Sequence, residues 1–185
     1  MRSTDRPTPL LILGLGNLLC SDDGLGVAAV RRLCEEYAAA EGVEILDGGT
    51  LGLSLLPHLL DARAVILVDA IQGDGPPGAH VRLEGDEVAP AAAVRLSPHQ
   101  VGVADLLDAA RLLDRFPERL VLLGLVPSRL DLGFGLSRPV EDALPELVRR
   151  TAAEARALGF AFEPRAAADE PPRARQPLAP LRLGM

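Results

Sequence analysis

The run Leu10-Leu11-Ile12-Leu13-Gly14-Leu15-Gly16-Asn17, followed by Ser21-Asp22-Asp23-Gly24, decides how this 185-residue chain is read. Apolar residues that continue without alternation and end at Gly mark a strand buried on both faces. Ser21-Asp22-Asp23 then supplies an N-cap and an acidic first turn for a helix. Behind it, Val27, Val30, Leu33, Cys34 and Tyr37 recur at helical spacing.

The same grammar repeats outward. Val43-Glu44-Ile45-Leu46 reads as a second strand, closed by Asp47-Gly48-Gly49-Thr50. Residues 51–60 read as a helix weakened at its middle by Pro57. Ala64-Val65-Ile66-Leu67-Val68 is a third buried strand and ends at Asp69. Residues 72–78 are rich in Gly and Pro and form a loop, and residues 79–83 fit a strand at a sheet edge. Ser97-Pro98-His99-Gln100 lies in a loop before a helix over about 103–113. Residues 120–125 make a fifth strand and 140–158 a final helix. Strands alternating with helices predict a three-layer α/β/α sandwich around a mostly parallel five-stranded sheet. Residues 1–163 read as one domain. From Pro164 the composition shifts to Pro, Ala and Arg, with four Arg against two acids, and 164–185 reads as a disordered tail.

Composition narrows the chemistry. Net charge is −7, which argues against nucleic acid. All 19 basic residues are Arg, so Schiff-base lysines, Ser-Lys dyads and the Walker lysine are excluded. With 3% aromatic residues and no Trp, stacking platforms for bases or sugars are not expected. No apolar run approaches the ~18 residues of a membrane span, and the N-terminal segment does not read as a signal peptide. Cys20 and Cys34 form no CxxC pair, and a reducing cytoplasm is the expected setting.

In open α/β sheets the site lies at the carboxyl ends of the parallel strands. That rule selects Asp22 and Asp23, Asp47, Asp69, and the loop holding His99. Asp22 reads foremost as a helix cap. Asp23, at a helix N-terminus, is favoured in its ionised form. Asp69 follows five apolar residues, where a carboxylate is costly unless exposed, paired or bound to metal; it fits a loop anchor and a functional group equally well. His58 reads as a helix-face residue and His80 as a solvent-facing residue of an edge strand. Two carboxylates and an imidazole from separate strand ends would make an open metal site for Mn, Fe, Ni or Zn.

Two alternatives compete. A dinucleotide fingerprint begins at Gly14-x-Gly16, but its third small residue is replaced by Leu19 and the strand-two acid, Asp47, falls too far along. A thiol protease would use Cys20 as nucleophile and His99 as base, although a small free cysteine is more often a packing residue.

The blocks 11–19, 21–27, Leu46-Asp47-Gly48-Gly49-Thr50, Val68-Asp69-Ala70, Ser97-Pro98-His99-Gln100 and Leu123-Gly124-Leu125-Val126-Pro127 together resemble the nickel-iron hydrogenase maturation endopeptidases, over about residues 9–158. The resemblance implies a phosphorylase/hydrolase-like sandwich with a mixed sheet and one antiparallel edge strand, for which residues 79–83 are the candidate. It implies an enzyme that removes a C-terminal extension from the hydrogenase large-subunit precursor after nickel insertion. It implies Asp23, Asp69 and His99 as both metal ligands and catalytic residues, with nickel supplied by or shared with the precursor. Some members carry Glu where this chain has Asp23, which sets the ligand back by one methylene. Two mechanisms fit the resemblance: metal-assisted amide hydrolysis, or a carboxylate base acting on water with the metal used for recognition. Asp47-Gly48-Gly49-Thr50 is a candidate contact for the precursor chain, or simply a tight turn. A chaperone that senses nickel on the precursor without cutting it is the competing function.

Overall fold

The structure, a computed structural model, describes residues 8–93 and 102–165. In chain order these form β1 (Thr8–Leu15), α1 (Leu25–Glu36), β2 (Tyr37–Ala39), β3 (Val43–Gly49), α2 (Leu56–Asp61), β4 (Ala62–Ala70), β5 (His80–Glu84), α3 (Val88–Ala93), α4 (Val103–Leu112), β6 (Arg119–Leu125), α5 (Arg138–Ala157) and β7 (Phe162–Pro164).

The unbroken apolar runs become strands with two buried faces. Leu10 and Ile12 enter one core with Ile66, Val68, Val121 and Leu123, under α1 and α5. Leu11 and Leu13 enter the other with Val65, Leu67, Leu120 and Leu122, under α2 and α4. Alternate side chains of one strand therefore serve opposite layers. This is the expected three-layer sandwich.

The five-stranded sheet has the order β3-β1-β4-β6-β5. β1, β3, β4 and β6 run parallel. β5 pairs antiparallel with β6, so the expected edge strand is present, over residues 80–84. From β1 the chain goes first to one side, to β3, and then back to the other, to β4. The crevice between the carboxyl ends of β1 and β4 is thus the switch point, where α/β folds place their sites.

Some local expectations shift. Residues 51–60 form a short tight turn, Gly52–Leu55, before α2, because Pro57 is tolerated only in the first turn of a helix. β2 and β7 form a separate antiparallel pair that the sequence pattern did not reveal. Pro164 belongs to β7, and Arg165 donates its Nε–H to the Cys34 carbonyl at 2.9 Å. The rest of the expected tail, 166–185, and the loop 97–100 lie outside the described residues. Among the described residues no helix is long and apolar enough to cross a membrane.

Candidate active site

The glycines of the first motif answer to packing. A side chain at Gly14 would collide with the Gly26 carbonyl, and one at Gly26 with the carbonyls of Val68 and Leu15. Their absence lets the start of α1 rest directly on β1 and β4. Gly16 has φ +117°, and a Cβ there would strike the Asp23 carbonyl. These contacts press the 17–24 segment onto the strand ends, a role unrelated to a phosphate.

That segment is not the helix cap expected from sequence. Ser21–Gly24 forms a separate 3₁₀ turn, α1 starts after Gly24, and no side chain caps it. Asp22 is fully buried and reaches across to another loop. Its carboxylate accepts bonds from the backbone N–H groups of Ser128 (2.8 Å), Arg129 (3.0 Å) and Ser137 (2.6 Å), and from the Ser137 hydroxyl (2.8 Å). Burial opposes its ionisation, but the bonds from Ser137, Arg129 and Ser128 outweigh burial and hold its pKa below the usual carboxylate value. Asp22 is an anchor for the 126–137 loop.

Asp23 points the other way. It is buried, and its Oδ2 accepts the Asn17 backbone N–H at 2.8 Å. Asp69 ends β4 and accepts the Ala70 N–H on Oδ1 at 2.8 Å. Asp23 and Asp69 line one cavity of about 270 Å³ at the switch point, with Asn17, Cys20 and Thr50. Asp69 is only partly exposed, through the cavity, and protein surrounds its carboxyl elsewhere. That desolvation, aided by the negative charge of Asp23 and against the Ala70 bond, pushes its pKa up to about 7. Two like charges facing one small cavity form a group that a cation would relieve, and two carboxylates are a donor set that first-row divalent metals accept. No three His, Cys, Asp or Glu residues are grouped for a metal among the described residues, and His99 lies outside them. Gly102 and Val103, at the start of α4, line the cavity.

The remaining candidates are placed as follows. Asp47 is buried and bound on Oδ2 by Arg31 of α1, through Nε at 3.1 Å and Nη2 at 2.8 Å. Gly49 and Thr50, beyond it, reach the cavity. Cys20 lies in the cavity wall and its Sγ accepts the Asn17 side-chain N–H at 3.3 Å. His58 sits on its helix with Nδ1 3.4 Å from Glu44. His80 does not face solvent freely: its Nδ1 is buried without a hydrogen-bond partner. Burial and then Arg150 lower its pKa, against Glu146, because this side of β5 lies near α5. Thr50, part of the candidate precursor contact, lines the cavity, and so does Asn17, which was not given a role from sequence; Asn17 follows Gly16 just beyond β1, which is the available signal.

Two carboxylates in a crevice at the strand ends of an α/β fold make a candidate enzyme site. The comparisons specify the family. The hydrogenase maturation protease (HycI) family profile matches residues 27–154. The hydrogenase 2 maturation protease of Escherichia coli K12 is 37% identical over 159 residues, covering 85% of this chain and 97% of that protein. The hydrogenase expression/formation protein HupD of Rhodobacter capsulatus is 40% identical over 151 residues, covering 78% of this chain and 71% of its own. The structure of the hydrogenase maturating endopeptidase HybD from E. coli superposes with a TM-score of 0.80 at 37% identity, covering 85% of this chain and 98% of its own. The chain belongs to the hydrogenase maturation protease family and is an endopeptidase by class.

Proposed function

We propose that this protein removes a C-terminal extension from the precursor of a nickel-iron hydrogenase large subunit, after nickel insertion, in the cytoplasm. Asp23, Asp69 and His99 would receive the nickel that the precursor carries. The observation that carries this reading is the pairing of Asp23 and Asp69 in one cavity, with Asp69 pushed to about 7. Near neutral pH Asp69 holds its proton about half the time. A cation brought to the cavity favours the ionised form, so substrate binding releases a proton. Its affinity therefore falls as pH drops below about 7. Nickel on the precursor supplies positive charge that orients the chain end and draws electron density from it. Asn17 holds Asp23 in place through its backbone N–H, and the close-packed glycines keep that bond rigid. His99 is included on the resemblance of Ser97-Pro98-His99-Gln100 to the family.

The test is cleavage of nickel-loaded and nickel-free precursor, read as the mass of its C-terminus. Wild type should release the extension only from the nickel form. Asp69→Asn and His99→Ala should abolish release, and Cys20→Ser should retain it. Nickel-dependent binding without any cleavage would favour the chaperone reading. Cleavage unaffected by either site substitution would remove the site.

A further inference from the structure

Eight large apolar side chains are exposed among the described residues; four are near neighbours in sequence of cavity residues, and two more lie on a loop bonded to one of those segments. Leu18 (40% exposed) and Leu19 (53%) sit between the cavity residues Asn17 and Cys20. Leu51 (39%) and Leu53 (49%) flank the cavity residue Gly52. Leu132 (83%) and Phe134 (85%) flank Gly133. Gly133 donates to the Leu19 carbonyl at 2.9 Å and accepts the Ser21 N–H at 2.8 Å, so this loop lies alongside the 18–21 segment.

Phe134 is singular. The other four aromatic residues, Tyr37, Phe116, Phe160 and Phe162, all pack on a core. The loop that displays Phe134 is also not loosely held. Buried Asp22 binds it at three residues, and Ser21 adopts φ +51° and donates its hydroxyl to the Asp131 carbonyl at 3.0 Å. A buried carboxylate and the Ser21 turn fix the backbone on both sides of Phe134 while its side chain stays exposed, which is preorganisation for a partner. Exposed Arg129, Asp131 and Arg138 surround it, giving an apolar centre with a polar margin, the anatomy of a protein interface.

We propose that Leu18, Leu19, Leu132 and Phe134 form the docking surface for the folded body of the precursor, beside the cavity that takes its chain end. This rests on the processing reading above. The occupant follows from continuity and size. The surface runs unbroken into the cavity wall at Cys20. A cavity of about 270 Å³ is at the small end of ligand sites and admits only a few side chains, so recognition of a whole protein must lie on its rim.

The experiment measures processing of nickel-loaded precursor at varied concentration by wild type, Phe134→Ser, the double variant Leu132→Ser/Phe134→Ser, and the distant exposed control Leu112→Ser. Thermal melting confirms that each is folded. Truncating central apolar anchors should raise KM by about tenfold or more, with the loss falling on KM rather than kcat, and Leu112→Ser should match wild type. An unchanged KM in the double variant overturns docking while leaving the processing reading intact. If wild type does not cut, the processing reading fails and docking is judged from calorimetric binding of the same precursor. Binding lost in the double variant then supports it; equal binding, or none by wild type, overturns it. A wild-type dimer that the double variant dissociates, with KM unchanged, assigns the surface to a second copy and also overturns it.

Discussion

The two ends of the sheet distribute their residues in opposite ways. At the amino ends of the parallel strands, exposed Leu112 and Leu113 apart, charge is outside and apolar surface inside. Arg63 pairs with Glu118, Arg119 with Glu84, and Arg115 with Asp61, all largely exposed. Phe162 is fully buried nearby and meets the Tyr37 ring at 6.5 Å, closing β7 over β2. At the carboxyl ends Asp22, Asp23 and Asp47 are buried, while Leu19, Leu132 and Phe134 are exposed. The first arrangement is what water and oil dictate. The second costs stability, and an end that departs from the ordinary pattern in both directions is the candidate site.

The comparison can be broken by substitution. Asp22→Ala should have the largest effect, about 3–5 kcal/mol in urea unfolding, because four donors lose a buried acceptor and the 126–137 loop comes loose. Phe162→Ala should cost a similar ~3–5 kcal/mol from the amino end, yet leave the processing rate of the folded fraction unchanged. A large loss of turnover in folded Phe162→Ala would show that the two ends are coupled.

Asp69→Asn should act in the reverse direction in metal-free protein. The native carboxyl keeps its proton up to about 7, whereas the unfolded one releases it near 3.8. Between these values the native state binds more protons, so stability from this group declines as pH rises from ~4 to ~7 and then levels off. Asn has no proton to lose. The variant should therefore be more stable than wild type at pH 8, by up to about 4 kcal/mol, with the gap closing by pH 4. Melting curves at the two pH values decide it; a gap independent of pH would mean that Asp69 is ionised without strain. Arg63→Ala should have the smallest effect, a melting-temperature shift of about a degree or less that vanishes in high salt, since an exposed pair is screened.

Much of this was legible in the sequence. The runs at 10–15, 64–68 and 120–125 identified β1, β4 and β6, because only strands buried on both faces are apolar at every position. The edge strand was legible as a short, mixed segment behind a Gly/Pro loop. β2 and β7 were not, since three residues hold no period and their pairing joins parts of the chain over a hundred residues apart. Asp23 and Asp69, which line one cavity, were legible as acids at or just beyond strand ends. Neither the Arg31–Asp47 pair nor the exposure of Phe134 was, because both depend on which elements become neighbours.

The neighbours Asp22 and Asp23 show where sequence stops. Sequence determined that two acids follow the first strand at a glycine turn. It assigned both to a helix start and gave Asp22 the role of cap. Only the tertiary structure decided that one anchors a loop from beyond residue 126 while the other lines the cavity at the strand ends. The physical reason is the 3₁₀ turn at Ser21–Gly24. With three residues per turn, successive side chains diverge by about 120°, so adjacent carboxylates enter different surroundings. What each meets is set by packing at the switch point, which no local pattern encodes.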